Sequence, residues 1–197
     1  MDGPQATIIF NSSTQAQYQA LEAHINKVAI INETKPNHWD ISSRNKKEKT
    51  RIGAQATLRP FLITLNKAGI ADFDKAELLF LKDIGITTPK SINISAGSNQ
   101  ALDHKYLASF AIDFAKMFNG IIYLHGAILP HRSEIKKPTY LYPYCTYNEA
   151  VEYTNTIEGV NHIYNFTTTN NTKWFSQFVD ATYLQNWLLQ KSFRMIK

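Results

Sequence analysis

The segment 92–124 constrains the fold most. Ile92, Asn93, Ile94 and Ser95 form a short β-branched run, Ala96-Gly97-Ser98-Asn99 reads as a turn, and a helical pattern follows. Leu107, Phe110, Phe114 and Met117 recur at spacings of three and four, and Tyr106, Ala111 and Phe118 widen that stripe. Asp103 stands where a helix cap belongs, Asn119-Gly120 supplies a left-handed stop, and Ile-Ile-Tyr-Leu at 121–124 resumes as strand. A helix with so broad an apolar stripe must bury it against another layer. Strand, helix and strand within about 35 residues fit a βαβ crossover. The chain is therefore expected to be α/β or α+β, with helices on a central mixed sheet.

The rest of the chain extends this reading. Residues 6–10 (Ala-Thr-Ile-Ile-Phe) read as an opening strand, and Thr14 with Gln17 fits a capping box before the stripe Tyr18, Leu21, Ile25 and Val28. Asp74 and Glu77 can cap a helix through Leu78, Leu81 and Ile84 that stops at Gly85, with Pro89 beyond. Asp180 caps a helix carrying Leu184, Trp187 and Leu188, with Val179 placed to staple against Leu184. The expectation is a single domain over 1–197 with about three to four helices, near 14–29, 103–118 and 180–190 and after Asp74. Residues 32–51 read as a loop or a weak hairpin around Trp39 and Ile41. Pro60 argues against a central strand at 58–65, and 151–156 should pair with 160–167 through Glu158-Gly159. Phe193, Met195 and Ile196 keep the C-terminal residues apolar and hence docked.

At 197 residues the chain can bury about 70% of its unfolded surface and needs no disulfide or metal staple. Cys145 is the single cysteine, which excludes an internal disulfide and a cysteine-based zinc cluster and fits a reducing compartment. Met1-Asp2-Gly3-Pro4 opens without the basic patch and apolar run of a signal peptide, and no stretch is long enough to span a bilayer, so a cytoplasmic location is expected. The net charge is +5, and Arg44, Lys46, Lys47, Lys49 and Arg51 account for all of it.

Each candidate for chemistry has a plainer alternative. Asp103-His104 at a helix start could be an anion site or acid/base pair, but capping explains both residues. His125 and His131 lack the close spacing and carboxylate partners of metal ligands, so no metal and no cofactor is expected. Cys145 as a nucleophile needs a base and an orienting group, and a buried thiol is the better reading. Ala96-Gly97-Ser98-Asn99 sits where a phosphate loop would, with one glycine and no lysine. The basic run 44–51 could contact phosphates but holds no interleaved aromatic, and such runs are usually solvated loops. Tyr140, Tyr142 and Tyr144 alternate with Leu141 and Pro143, giving tyrosines on one face that suit either a contact surface or an edge strand.

Three blocks carry a family resemblance. They are Gly3-Pro4 before Ala6-Thr7-Ile8-Ile9; Asp103-His104, Leu107, Phe110-Ala111, Phe114-Ala115, Asn119-Gly120-Ile121-Ile122 and Gly126; and Val179-Asp180, Leu184, Trp187-Leu188 with Phe193-Arg194-Met195-Ile196-Lys197. The chain resembles uncharacterised bacterial proteins that look like immunity proteins of polymorphic and contact-dependent toxin systems, including type VI secretion effectors. The resemblance implies a cytoplasmic antidote, not an enzyme, that binds a cognate toxin domain and occludes its active site. Such a protein would be a monomer or a weak homodimer, with no specific nucleic acid and no membrane as partner. Tyr140, Tyr142, Tyr144 and Tyr147 are the expected contact residues, with His131 and Arg132 in the 130–138 loop. Two other classes stand beside this one: a nucleic-acid accessory protein acting through 44–51, and a small hydrolase-type antidote using Asp103, His104 and His125.

Overall fold

The computed structural model describes residues 3–11, 13–43, 60–66, 73–131, 133, 135, 145–191 and 193–196. Its strands are β1 (Gln5–Phe10), β2 (Ala29–Lys35), β3 (His38–Ser43), β4 (Pro60–Asn66), β5 (Lys90–Ala96), β6 (Ile121–Tyr123), β7 (Asn161–Thr167) and β8 (Lys173–Val179). They form one sheet of order β2-β3-β4-β5-β1-β6-β8-β7. The described helices are α1 (Gln15–Val28), α2 (Lys75–Asp83), α3 (Ala101–Phe118), α4 (Tyr147–Thr154) and α5 (Ala181–Leu188). The fold is α+β.

In place of a mixed sheet, every described pairing is antiparallel. The strand–helix–strand unit at 90–123 is present, but β1 inserts between β5 and β6 and runs antiparallel to both. β5 and β6 are thus parallel to each other across an intervening strand, which is a split βαβ unit. The crossover reading holds for the helix and fails only for strand adjacency.

Alternation of side chains sorts the strands into two faces. Ile8, Ile92, Leu65, Ile122 and Val179 lie opposite one another in register on one face, with Ile63 and Ile94 beside them. They join a single buried core with Leu21 and Ile25 of α1, Leu107, Phe110 and Phe114 of α3, and Leu184 and Trp187 of α5. Phe61 meets Phe110 edge-on at 5.5 Å, and Phe10 lies 4.6 Å from Phe118. Met195 is buried, and Phe193 meets Trp187 edge-on at 4.9 Å, so these C-terminal residues are docked. On the opposite face only α2 packs among the described helices. Its Leu81 closes over Ile9 and Phe178, with Phe80 against Tyr164.

Local chemistry explains the helix limits. Thr14–Gln17 and Asp74–Glu77 form reciprocal capping boxes, and Asn119 takes the left-handed cap of α3 at φ 49°. The α3 start differs from the expectation. Gln100 is the cap, and Asp103 sits one turn inside, accepting from the Gln100 N–H at 2.7 Å.

Two strand readings need correction. Pro60 does lie in a central strand, because β4 pairs with β3 on one side and β5 on the other. As first residue of β4 it withdraws no needed donor, and its carbonyl accepts from the Gly97 N–H at 2.9 Å. Residues 151–154 are not a strand but the end of α4, capped by the Thr146–Glu149 box, with Ala150 and Thr154 facing inward. The partner of β7 is β8, not 151–156. Gly159 enters β7 at φ +128°, and a Cβ there would lie 2.4 Å from the Tyr183 nitrogen, so the turn permits only glycine. The hairpin around Trp39 and Ile41 forms as β2–β3, turned by Asn37 at φ 62°.

Candidate functional site

Residues alternating with the core row point to the second face. Across β3, β4, β5 and β1 these are His38, Thr64, Asn93 and Thr7 in one line, Asp40, Leu62 and Ser95 on one side of it, and Asn66, Ser91 and Ile9 on the other. Most are short polar side chains, and several are paired with neighbours on the same face. Thr64 Oγ1 lies 3.2 Å from His38 Nδ1, and Asn66 Nδ2 donates to Ser91 Oγ at 3.2 Å. Asn32 of β2 donates to Asp40 Oδ1 at 3.0 Å and Ser42 Oγ at 2.8 Å. Leu62 stands among them 39% exposed. The packing of α2 reaches Ile9, Tyr123, Phe178 and Tyr164 and leaves the β3–β4–β5 part of this face without a described helix. The surface is rigid, because its backbone is fixed by ladders on both sides, and it offers hydrogen-bonding groups around one apolar centre.

The corner of this face, where β1 meets the end of β6, carries the most unusual side-chain arrangement. His125 occupies the left-handed region at φ 59°, a conformation that costs a non-glycine residue energy and calls for a compensating contact. Its Nε2 lies 2.8 Å from Oγ1 of the buried Thr7, and its ring packs on Tyr123 at 4.3 Å. Desolvation lowers the imidazole to about 4. The residue as a whole is exposed, yet its Nε2 edge is held against Thr7 and Tyr123, and that contact sets the direction. The imidazole is neutral at pH 7, a hydrogen-bonding partner rather than a cation. Tyr123 stacks on Phe178 at 4.5 Å, and burial raises its hydroxyl against a smaller opposing bond from Ser176.

The other residues singled out above are dispersed. Asp103 is buried and accepts from Ser98 Oγ at 2.6 Å and from the Gln100 N–H, while His104 Nε2 meets Asn99 Oδ1 at 2.9 Å. Both hold the 96–100 turn on α3. Cys145 is buried, and desolvation, helped by the Glu149 carboxylate, pushes its thiol up to about 11, the reverse of an activated nucleophile. His131 bonds Ser133 Oγ at 2.7 Å within its own turn. Tyr147 is the first residue of α4. Its hydroxyl donates to Asn165 Oδ1 at 2.6 Å and its ring meets Phe175 edge-on at 5.4 Å. Tyr140, Tyr142, Tyr144, Arg132 and the basic run 44–51 lie outside the described residues. Among the described residues no group of three or more His, Cys, Asp or Glu is placed to hold a metal, and no helix is long and apolar enough to cross a membrane.

Sequence reasoning missed Thr7, whose partner is His125, and it missed Gln177. Gln177 is fully buried on the helix-covered face of β8. Its Oε1 accepts from the Ile128 N–H at 2.6 Å, and its Nε2 donates to Asn161 Oδ1 at 2.9 Å and Tyr183 Oη at 3.2 Å. The Tyr183 hydroxyl in turn donates to the Thr154 carbonyl at 3.0 Å, so one amide fastens β7, β8, α4 and α5.

Fold and surface together define a class: an antiparallel α+β protein with most of its described helices on one face of the sheet, and a second face that is apolar under α2 and mainly polar across β3, β4 and β5. The chain belongs to a family of unknown function, DUF6368, which it matches over residues 2–197. No curated protein and no solved structure matches it.

Proposed function

We propose that this protein is an immunity protein of a bacterial polymorphic-toxin or type VI secretion system, acting in the cytoplasm by binding a cognate toxin domain and occluding its active site. The observation that carries the reading is the polar half-face of the sheet around Leu62, which joins a fixed backbone to short hydrogen-bonding side chains. Such a surface presents many donors and acceptors at little cost in side-chain entropy, as a tight stoichiometric binder requires. The sequence resemblance to immunity proteins supplies the partner class. Asp103, His104 and Cys145, the residues that would argue for turnover, are engaged in caps or buried with a raised thiol.

The test is co-expression with the toxin domain encoded beside this gene, followed by protection assays at varied molar ratio. Protection saturating near one antidote per toxin is expected. Leu62→Arg with Ser95→Arg should abolish co-purification while the protein stays folded. Among the described residues the Thr7–His125 pair is the arrangement that would favour an enzymatic antidote. Full protection by a small fraction of an equivalent, lost in a folded His125→Asn variant, would replace occlusion with turnover.

A further inference from the structure

The two edges of the sheet differ. β2 is guarded in the usual ways: its register with β3 is broken between Ile31 and Glu33, and it ends on Lys35 with Pro36 following. β7 (Asn161-His162-Ile163-Tyr164-Asn165-Phe166-Thr167) has no Lys, Arg, Asp, Glu or Pro, and its register with β8 is unbroken from Asn161↔Val179 to Thr167↔Lys173. Among the described residues no strand lies beyond it.

The ladder tells which backbone groups face out. The Asp180 N–H donates to the Val160 carbonyl, and the Thr168 N–H donates to the Thr172 carbonyl. Those are hydrogen-bonded pairs at the two ends of one register, so His162, Tyr164 and Phe166 exchange bonds with β8. Asn161, Ile163, Asn165 and Thr167 therefore turn their N–H and C=O groups away from the sheet. Exposed apolar groups gather at the same place. Val160 and Phe166, 46% and 36% exposed, bracket the strand. Leu78 and Leu79, 38% and 62% exposed, flank Phe80, which covers Tyr164.

We propose that a second copy of this chain docks on β7, antiparallel about a two-fold axis through Tyr164, and continues the sheet from one copy to the other. This register is self-complementary. All four outward residues find outward partners, Asn161 with Thr167 and Ile163 with Asn165. On the α2 side Tyr164 meets its own copy while Phe166 meets His162, an aromatic row across the axis. An uncharged strand brings no like charges together, even though the chain as a whole carries +5. The proposal does not depend on the immunity reading.

The test is sedimentation velocity of the full-length chain over a concentration series. A concentration-dependent dimer is expected, and Thr167→Pro, which removes an exposed outward N–H from each copy, should weaken it about tenfold or more through two lost hydrogen bonds. Tyr164→Cys places two sulfurs across the axis at a non-hydrogen-bonded pair, with Cα atoms about 4.5 Å apart, within disulfide range. It should cross-link under copper–phenanthroline, whereas Phe166→Cys, opposite His162 of the second copy, should not. A monomer at every concentration overturns the proposal. So does a dimer indifferent to Thr167→Pro and uncross-linked through Tyr164→Cys. Amide exchange at 161, 163, 165 and 167 that slows only when toxin is added would assign the edge to the toxin instead.

Discussion

The two faces of the sheet are made by alternate residues of the same strands, yet they answer to different demands. In β1, Ile8 enters the core under α3, and its neighbour Thr7 turns to the other face and bonds His125. In β5, Ile92 and Ile94 are buried while Asn93 and Ser95 are half-buried. The helix-covered face carries stability through area and packing. Among the described residues the polar face contributes little apolar burial outside the patch under α2, and on the reading proposed above it is the part that a partner would specify. Stability and recognition can thus be altered separately by moving one residue along a strand.

The largest break should come on the covered face. Phe114→Ala removes a fully buried ring of α3 and should cost about 3–5 kcal/mol in urea unfolding. A loss below about 1 kcal/mol would show that the core lies elsewhere. Gln177→Leu tests the polar exception on that face. It orphans the Ile128 N–H and takes the donor from two acceptors, Asn161 Oδ1 and Tyr183 Oη, and a loss of about 2–3 kcal/mol is expected despite the gain in apolar volume. Thr7→Val deletes one hydroxyl partner of His125 and should cost about 1 kcal/mol.

The His125 imidazole sharpens the comparison through pH. Its folded value, about 4, lies below the ordinary 6.5, so the unfolded chain binds more protons between those values. Its contribution to stability is complete above pH 6.5 and declines as the pH falls toward 4. His125→Asn, a residue that tolerates the left-handed region, should flatten the stability profile in that window and leave it unchanged above pH 7. A profile with the same slope in the variant would remove His125 as its source. The smallest effect belongs to the polar face. Leu62→Arg with Ser95→Arg should shift stability by less than about 0.5 kcal/mol, and only binding should suffer.

Four of the described helices were legible by their apolar stripes, and for three of them the cap was read correctly as well, whereas Asp103 lies one turn inside α3 and Gln100 is its cap. The Thr14–Gln17 and Asp74–Glu77 boxes and the Asp180 cap are all present. α4 misled for a physical reason. Val151, Tyr153 and Thr154 favour strands, and a helix this short shows barely two turns of periodicity. The Thr146–Glu149 box was the signal that would have found it. β4 was obscured by Pro60, which matters only when a proline must donate, and the first position of this strand asks for no donor. Of the candidate site, His125 was visible as an isolated histidine, but Thr7 lies at the other end of a contact 118 residues long. No local pattern carries such a pairing. The polar face was legible only as alternation in β5, since which face is covered depends on where α2 lands.

The central place of β1 also bears on how the chain is born. Ile8 and Ile9, both fully buried in the finished protein, leave the ribosome well before either of the strands that cover them. Their strand neighbours are Ser91 and Ile92 on one side and Ile121 and Ile122 on the other. At roughly 5–20 residues per second, an uncovered apolar strand must wait on the order of ten seconds for its second neighbour. Closure of the sheet is then a late, long-range event, with high contact order and correspondingly slow folding. During that interval the nascent segment around Ile8 is an open template for any other extended chain, and a ready substrate for a chaperone that binds short apolar strands.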